Sequence, residues 1–227
     1  MKTNISHIKF AVLAADAVVF TIKDGELLVR LMDVNRPPFF NNTPGLPGGL
    51  LTPKETAEEA ALRHVEEKAH IKPNKLYVEQ LYTFSTVNRD PRGRVVAVAY
   101  IMLVPWENLS ATEQADTAGA RWVSAISARG LAYDHDEILT VAIARLRSRT
   151  TYTTLVSKLM ASEFTLSELE KTYESILKTR FDKRNFRKKI HKLKILKKLP
   201  YKRTGSAFRP AALYSFASSK VTEIEIL

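Results

Sequence analysis

The feature that most restricts the fold of this chain is residues 45–71, GLPGGLLTPKETAEEAALRHVEEKAHI, in which a loop of glycine and proline runs into a helix. Gly48 and Gly49 lack a Cβ atom, so a diphosphate group could approach their backbone N–H groups closely. The helix that follows is rich in alanine, glutamate and lysine. The segment therefore predicts an anion-binding loop in front of a helix.

The predicted helix begins at Pro53, because Thr52, Pro53 and Glu55 have the order of an N-cap, a first and a third helical residue. Helical spacing then places several residues on one face. These are Ala60, Arg63, His64, Glu67, Lys68 and Ile71.

The spacing of this segment resembles the Nudix box. That pattern is Gly, five residues, Glu, seven residues, Arg-Glu, an aliphatic residue, any residue, Glu-Glu, any residue, Gly and an aliphatic residue. The residues that match are Gly49, Glu55, Arg63, Val65, Glu67 and Ile71, and those that depart from it are His64, Lys68 and His70. In Nudix hydrolases, the Glu after the Arg and the later Glu pair hold Mg²⁺ or Mn²⁺, which bridges the phosphates.

The departures remove metal ligands. His64 takes the first of those positions and Lys68 the last, which leaves Glu67 alone, whereas hard divalent ions favour several carboxylate oxygens. A lysine ammonium repels a metal ion but can contact a phosphate oxygen directly. We therefore expect a diphosphate pocket with no metal, no required cofactor and no catalytic residue. The alternative is a metal site rebuilt from the nearby carboxylates Glu58, Glu59 and Glu66.

Composition excludes several other classes of protein. The 227 residues are enough for two modest domains, and the absence of cysteine excludes disulfides and thiolate metal sites. No apolar run approaches the roughly 20 residues of a membrane span. The N-terminus has no convincing signal-peptide layout, so we expect a cytoplasmic protein without membrane association.

The positive charge is concentrated near the C-terminus. Residues 182–203 contain eleven Lys or Arg and one acid, so this window carries most of the net charge of +11. Charge concentrated in this way is typical of a nucleic-acid site, and a membrane-surface patch is the main alternative.

The first 148 residues alternate between strand and helix patterns. Residues 16–22 and 26–32 predict a hairpin around Asp24-Gly25. Residues 35–47 hold four prolines and predict a loop, residues 77–84 and 95–104 predict strands, and residues 121–124 predict a further short strand. Residues 136–147 predict an amphipathic helix.

Two polar segments of this region carry candidate ligand residues. Residues 87–94 form a basic turn, in which Arg89 and Arg92 could bind an anionic effector or could be ordinary surface residues. The acids and histidine at 134–137 could suggest a metal cluster. We interpret them instead as a helix N-terminus, where acids interact favourably with the helix dipole.

The segments RDPRGRVVAVAY (residues 89–100) and YDHDEIL (133–139) resemble one branch of the Nudix superfamily, the NrtR-type transcriptional regulators. The resemblance implies an α+β fold, with a Nudix-like mixed sheet and flanking helices followed by a winged helix-turn-helix. It implies an effector domain in residues 1–148 and a DNA-binding domain in residues 149–227. The predicted effector-binding residues are Gly48, Gly49, Arg63, Glu67, Lys68, Arg89 and Arg92.

The C-terminal region contains three helix patterns. Residues 145–154 are polar and mark the predicted junction, and residues 152–160 predict a short helix. Thr165 and Glu168 form a capping box for a second helix, and Asp182 caps a third. On the third helix, an apolar set predicts the buried face, namely Phe186, Ile190 and Leu193. Residues 199–216 predict a wing of two short strands.

This arrangement of helix, turn and basic helix resembles the C-terminal domain of the same regulators. Residues at the start of the third helix are expected to contact base edges, and the later cations phosphates. The predicted DNA-binding residues are Lys183, Arg184, Asn185, Arg187, Lys188, Lys189, Lys192, Lys202, Arg203 and Arg209. The alternative is a basic, solvated helix that does not bind DNA.

Together, these features predict a DNA-binding transcriptional regulator. The resemblance implies a homodimeric repressor that binds a palindromic duplex operator. The resemblance implies that its effector is ADP-ribose or a related metabolite of NAD metabolism, or a sugar-related ligand. The main alternative is an active Nudix pyrophosphohydrolase with a basic appendage. A third possibility is an RNA-binding Nudix protein, which would favour single strands over duplex DNA.

Overall fold

A computed structural model describes residues 11–117, 119–203 and 210–224 of the chain. Within these ranges, a mixed β-sheet is covered on both faces by helices, and a smaller helical unit with a two-stranded sheet follows. The strands of the first part are β1 Val12–Lys23, β2 Glu26–Arg36, β3 Phe40–Gly45, β4 Gly48–Leu50, β5 Tyr77–Phe84, β6 Val95–Leu103 and β7 Ala120–Ser124. Its α-helices are α1 Ala57–His64, α2 Ala111–Gln114 and α3 His135–Tyr152.

Strand β1 lies at the centre of the sheet. It pairs in parallel with β6 along the whole stretch from Val12 to Phe20, and antiparallel with β2 through the turn at Asp24-Gly25. Both turn residues have positive φ, as the predicted hairpin requires. The main strand order is β3-β2-β1-β6-β5, with β4 added to β1 and β7 to β2. The predicted α+β class is confirmed.

The two faces of the sheet have separate apolar cores, because successive side chains of a strand point to opposite faces. On one face, Ala17 and Val19 pack with Ala60 and Val65 from the box helix. On the other face, Val18 and Phe20 pack with residues of α3. The uninterrupted apolar run of β6 follows from burial on both sides.

Helix α1 begins at Ala57, so the start predicted at Pro53 is wrong. Thr56 is the N-cap, since its hydroxyl accepts from the Glu59 N–H at 3.2 Å and the Glu59 carboxylate accepts from the Thr56 N–H at 2.8 Å. The predicted cap, Thr52, donates its N–H to Glu55 at 2.7 Å within the preceding turn. Two consecutive Thr-x-x-Glu patterns occur here, and the second one starts the helix.

The box helix widens to a π-helical turn at Val65–Ala69 and ends at His70, whose φ is +58°. The wider turn breaks the regular spacing that predicted a single face. Ile71 is buried in the apolar core, whereas His64 and Lys68 line a cavity on the other side of the loop. The six residues predicted to share one face are therefore divided between the core, the cavity and the surface.

Two further boundaries differ from the predictions. The predicted loop at 35–47 contains β3, which tolerates Pro44 because it is an edge strand and a missing N–H there breaks no ladder. Helix α3 continues to Tyr152, so the polar stretch predicted as a junction is largely helical, and its Leu146 and Thr150 are buried. The helix predicted at 152–160 is a short 3₁₀ helix, Leu155–Leu159.

The C-terminal unit consists of α4 Leu166–Leu177, α5 Lys183–Leu193, and the hairpin β8 Leu196–Arg203 with β9 Ala211–Phe216. The predicted capping box of α4 is confirmed, and Asp182 caps α5 by accepting from the Asn185 N–H at 2.8 Å. Phe186 and Ile190 are buried as predicted, in an apolar core that continues into the α3 side of the sheet. No helix in the described part of the chain is long and apolar enough to cross a membrane.

Candidate functional site

A cavity of about 320 Å³ opens between β1, the loop before the box helix and the start of α3. Its volume lies in the range of small-molecule sites. Gly48 and Gly49 form part of its wall. Charged and ionisable side chains in its lining include Asp16, Arg36, His64, Lys68, Arg89 and His135.

Arg63 joins the loop to the box helix. Its Nε and Nη2 donate to the two carboxylate oxygens of Glu55 at 2.9 and 2.6 Å, and Nη2 also donates to the Leu50 carbonyl at 3.3 Å. The bonds from Arg63 lower the pKa of the Glu55 carboxyl to about 2. Glu67 accepts from Arg63 Nη1 at 3.2 Å. Neither Arg63 nor Glu67 lines the cavity, so their contact with an effector stays a prediction.

The glycine loop makes room for the side chains that depart from the Nudix pattern. A Cβ on Gly49 would lie 2.8 Å from Nε2 of His64 and 3.0 Å from Nζ of Lys68. Nζ of Lys68 donates to the Gly48 carbonyl at 2.5 Å, and His64 Nε2 lies 3.2 Å from the Leu50 carbonyl. Burial lowers the pKa of His64, so its ring is neutral at neutral pH.

These residues do not fit a divalent metal ion. His64 is buried against the loop, the Lys68 ammonium occupies the position of a carboxylate ligand, and Glu67 is exposed and paired with Arg63. In the described part of the chain, no group of three histidine, aspartate or glutamate side chains is arranged to hold a metal. An anion is the better match for a wall that carries an ammonium group.

Arg89 links two acidic side chains behind the cavity. Its guanidinium donates to Asp134 at 2.6 and 2.7 Å and to Asp16 Oδ2 at 3.2 Å. The side chain is only 3% exposed, so the alternative that Arg89 is an ordinary surface residue is wrong. Asp134 precedes α3 but makes no side-chain capping bond, because its carboxylate binds Arg89. The acids at 134–137 form the N-terminus of α3 as predicted, since Asp134 occupies the N-cap position and Asp136 and Glu137 lie in the first turn.

His135, the first residue of α3, is held in one tautomer. Its Nδ1 accepts from the Leu46 N–H at 2.9 Å, so the proton of the neutral ring is on Nε2. Burial lowers the pKa of His135 to about 4, and burial raises the pKa of Asp16 to about 6. Nε2 of His135 lies 3.8 Å from Oδ1 of Asp16. At neutral pH the cavity therefore presents a neutral imidazole beside a carboxylate.

Tyr133 and Arg92 form one side of the cavity, and Phe40 packs against the Tyr133 ring. The Phe40 and Tyr133 rings have centroids 4.4 Å apart, and the Arg92 guanidinium lies 5.2 Å from the centre of the Tyr133 ring. Arg92 also donates to the Asp90 carboxylate, at 2.9 Å from Nε and 2.7 Å from Nη2. A flat group could stack here.

The structure brings five of the seven predicted effector-binding residues to the cavity, namely Gly48, Gly49, Lys68, Arg89 and Arg92. Sequence reasoning missed Asp16, Arg36, Tyr133 and His135 as cavity residues. One usable indication was present, since Asp16 interrupts an apolar run that predicts a buried strand, and a carboxylate is rarely buried without a partner or a function.

The second candidate site is the outer surface of α5. Phe186 and Ile190 pack inward, and the predicted base-contacting residues Lys183, Arg184, Asn185 and Arg187 are exposed, as are Lys188, Lys189 and Lys192. Arg187 donates to the Ser167 hydroxyl at 3.2 Å, which ties it to the first turn of α4. The helix thus presents its cations to solvent on the faces opposite the core.

The wing is attached to the start of α4. Arg203 pairs with the Glu168 carboxylate, and Tyr201 donates its hydroxyl to Glu163. Lys202 is exposed, whereas the predicted contact Arg209 lies outside the described residues. Because Arg203 already has an acidic partner, its contact with a phosphate stays a prediction.

A cavity built on a Nudix-type loop and helix, followed by a winged helix with a basic helix surface, defines a ligand-sensing DNA-binding protein. Family models agree with this class. Residues 12–143 match the NUDIX domain, and residues 156–216 match the NrtR DNA-binding winged helix domain. The chain belongs to the NrtR family of Nudix-related transcriptional regulators.

Three relatives illustrate the similarity. An Acinetobacter baylyi protein named ADPR responsive transcriptional repressor NtrR is 32% identical over 90% of this chain and 82% of its own length. An ADP-ribose pyrophosphatase of Methanocaldococcus jannaschii is 31% identical over 56% of this chain and 70% of its own length. Crystallised NrtR of Shewanella oneidensis, bound to a 27mer DNA, has a TM-score of 0.78 at 31% identity and covers 90% of this chain and 93% of its own. The Nudix domain of that NrtR, solved with ADP ribose, has a TM-score of 0.51 at 29% identity and covers 64% of this chain and 94% of its own.

Proposed function

We propose that this protein is a repressor whose cavity binds ADP-ribose, or a closely related nucleoside diphosphate sugar, without a metal ion, and that the ligand changes its affinity for operator DNA. The observation that carries the proposal is that His64 and Lys68 of the box helix stand where metal-binding carboxylates are expected, while the glycine loop in front of the helix is retained. The names of the Acinetobacter and Shewanella proteins support the choice of ligand.

In this proposal the diphosphate lies near Lys68 and Arg36. Both line the cavity, and the pKa of Lys68 is lowered first by burial and then by the positive charge of Arg36. Two cations close enough to repel each other favour a bound anion that neutralises them. Gly48 and Gly49 allow the ligand to approach the backbone, and the Tyr133 and Arg92 surface accepts a flat base.

The DNA-binding part of the proposal rests on α5 and its wing. The exposed N-terminal residues of α5 enter the major groove, and the later lysines contact phosphates. We propose a homodimer, because a two-fold operator requires two copies of this helix with a fixed spacing.

Helix α3 provides a physical connection between the two sites. Its first residue, His135, lines the cavity, and Arg147 near its other end donates to the Ile176 carbonyl of α4 at 3.0 Å. A ligand that shifts the start of α3 therefore acts directly on the winged helix. The coupling is expected to be about 1–3 kcal/mol and reciprocal, so DNA weakens ligand binding as much as ligand weakens DNA binding.

The test is binding of the purified protein to the duplex from its own upstream region, at fixed salt, with and without ADP-ribose. Salt is fixed because phosphate contacts make affinity fall steeply as salt rises. The expected result is sequence-selective binding that ADP-ribose weakens. Selective binding that ADP-ribose leaves unchanged would keep the regulator and reject this effector. Preference for single strands, or no selectivity, would refute the DNA-binding proposal.

The second candidate is a pyrophosphohydrolase, which the similarity to the Methanocaldococcus enzyme favours. We expect no hydrolysis of ADP-ribose with Mg²⁺ or Mn²⁺, since Lys68 lies where a metal would need a carboxylate. In the double variant His64→Glu, Lys68→Glu, calorimetry should detect Mg²⁺ binding that the parent protein lacks. Product formation by the parent protein, or unchanged metal affinity in the double variant, would contradict the metal-free assignment.

A further inference from the structure

We propose that Asp16 and His135 form a hydroxyl-binding site in the cavity that recognises one ribose hydroxyl of the effector. This inference deepens the proposed function and rests on it. The two side chains come from β1 and from the start of α3, and each is 4% exposed. Both line the cavity, so a bound ligand can reach them without displacing the fold.

The two groups have complementary hydrogen-bonding roles. Nδ1 of His135 accepts from the Leu46 N–H, which leaves Nε2 as a fixed N–H donor. Oδ2 of Asp16 accepts from Arg89, and within the described residues no donor reaches Oδ1. The cavity therefore presents one fixed donor beside one free acceptor.

The distance between these atoms selects the ligand group. Nε2 of His135 and Oδ1 of Asp16 are 3.8 Å apart, which is too far for a direct hydrogen bond. A single oxygen atom could lie about 2.8 Å from both. That oxygen must accept from the imidazole and donate to the carboxylate, and a hydroxyl does both. A phosphate oxygen cannot donate, so this position favours a sugar over the diphosphate.

Two glycines make the site possible. A Cβ on Gly48 would lie 2.1 Å from Oδ1 of Asp16, and a Cβ on Gly45 would lie 3.0 Å from Nδ1 of His135. Only a glycine at position 48 leaves the carboxylate in its present place. The glycine loop thus fixes the position of the Asp16 carboxylate and also lets a ligand approach the backbone.

The test measures affinity by calorimetry for ADP-ribose and for analogues that each lack one ribose hydroxyl, using the full-length chain. In the parent protein, one analogue should bind about 10- to 100-fold more weakly than ADP-ribose, as expected for a hydrogen bond to a charged group. The Asp16→Asn variant should lose this preference. Arg89 needs an acceptor, so the carbonyl of the new amide side chain would turn towards Arg89 and its NH₂ group towards the cavity.

The second variant is His135→Asn, because asparagine can still accept from the Leu46 N–H but cannot reach the cavity as a donor. It should also reduce the preference to less than about threefold. The matched control is Asp134→Asn, which also removes a carboxylate from Arg89 but leaves both hydroxyl-binding groups in place. It should keep the preference of the parent protein.

Three results would overturn the site: all analogues binding within about threefold of ADP-ribose, the preference surviving in both variants, or its loss in only one of them. Failure of the parent protein to bind ADP-ribose would instead refute the proposed effector. In that case, ribose 5-phosphate and 2-deoxyribose 5-phosphate replace the panel. If the parent protein binds neither or shows no preference between them, the hydroxyl-binding site is refuted as well.

Discussion

Asp16 and His135 should make opposite contributions to the pH dependence of stability. Burial raises the pKa of Asp16 from 3.8 to about 6 and lowers that of His135 from 6.5 to about 4. Between pH 7 and pH 5, folded Asp16 gains a proton that the unfolded chain does not bind, so acidification stabilises the fold through this group. Over the same range, unfolded His135 gains a proton and the folded side chain does not, so acidification destabilises the fold.

The magnitudes follow from the pKa values. Going from pH 7 to pH 5, Asp16 contributes about 1.4 kcal/mol of added stability, since one pKa unit corresponds to about 1.36 kcal/mol. His135 removes about 2 kcal/mol over the same interval. The two effects largely offset each other in the parent protein. Substituting either residue should expose the effect of the other.

Urea denaturation at pH 7 and pH 5 provides the measurement. Both tryptophans, Trp106 and Trp122, lie in the sheet-containing part, so their fluorescence follows the unfolding of that part. Relative to the parent protein, Asp16→Asn should lose about 1.4 kcal/mol on acidification, and His135→Asn should gain about 2 kcal/mol. If both variants change with pH as the parent does, within about 0.5 kcal/mol, the assigned protonation states are wrong.

Three further perturbations test other parts of the chain. Replacing His70 by glycine should raise the unfolding free energy by about 0.5–1 kcal/mol, because the φ of +58° at this position suits glycine. The control Lys72→Gly, at a position with a φ of −69°, should lower the unfolding free energy in the same urea assay. Tyr173→Phe should be neutral or stabilising by up to about 1 kcal/mol in thermal unfolding, because the buried hydroxyl has no partner among the described residues. A clear loss of stability would mean that the hydroxyl does form a hydrogen bond. Lys192→Ala should weaken binding to all duplexes alike and reduce the salt slope by about 1, whereas Arg184→Ala should weaken the preferred duplex most; equal effects would contradict the division of roles.

Local sequence patterns were sufficient to predict the elements whose turns or caps are formed by neighbouring residues. The hairpin at Asp24-Gly25 and the capping box that opens α4 depend on residues within a few positions of one another. The inward set on α5 follows from helical spacing alone. These predictions are confirmed because the interactions that decide them are local.

Repeated or ambiguous local patterns caused the errors at boundaries. Two Thr-x-x-Glu patterns precede the box helix, and nothing in the sequence indicates that Thr56 rather than Thr52 is the cap. Strand β3 was predicted as a loop because of Pro44 and the prolines on either side of the strand, and whether a strand tolerates a proline depends on whether it lies at the edge of a sheet. The position of a strand within the sheet is set by tertiary contacts and cannot be read from the local sequence.

The cavity chemistry could not be predicted because it depends on long-range placement. Asp16, Arg89 and Asp134 come from three separate segments, and only the parallel pairing of β1 with β6 and the return of α3 bring them together. The sequence identified Arg89 as a possible ligand residue because it is basic. The structure places its guanidinium between two carboxylates, so Arg89 also holds the cavity wall in position, and its contact with an effector stays a prediction.

The continuity between the two predicted domains bears on how a ligand could influence DNA binding. The predicted boundary at residues 148 and 149 falls inside α3, and Arg149 of that helix pairs with Glu79 of β5 at 3.4 Å. The apolar core on the α3 face also continues into the winged helix, where it includes Phe164 and Tyr173. A flexible linker would let the winged helix move independently of the cavity. Here the two parts share a helix and an apolar core. A small shift at His135 is therefore transmitted to the winged helix, because packed interiors transmit strain. The proposed control of DNA binding therefore requires no hinge between the cavity and α5.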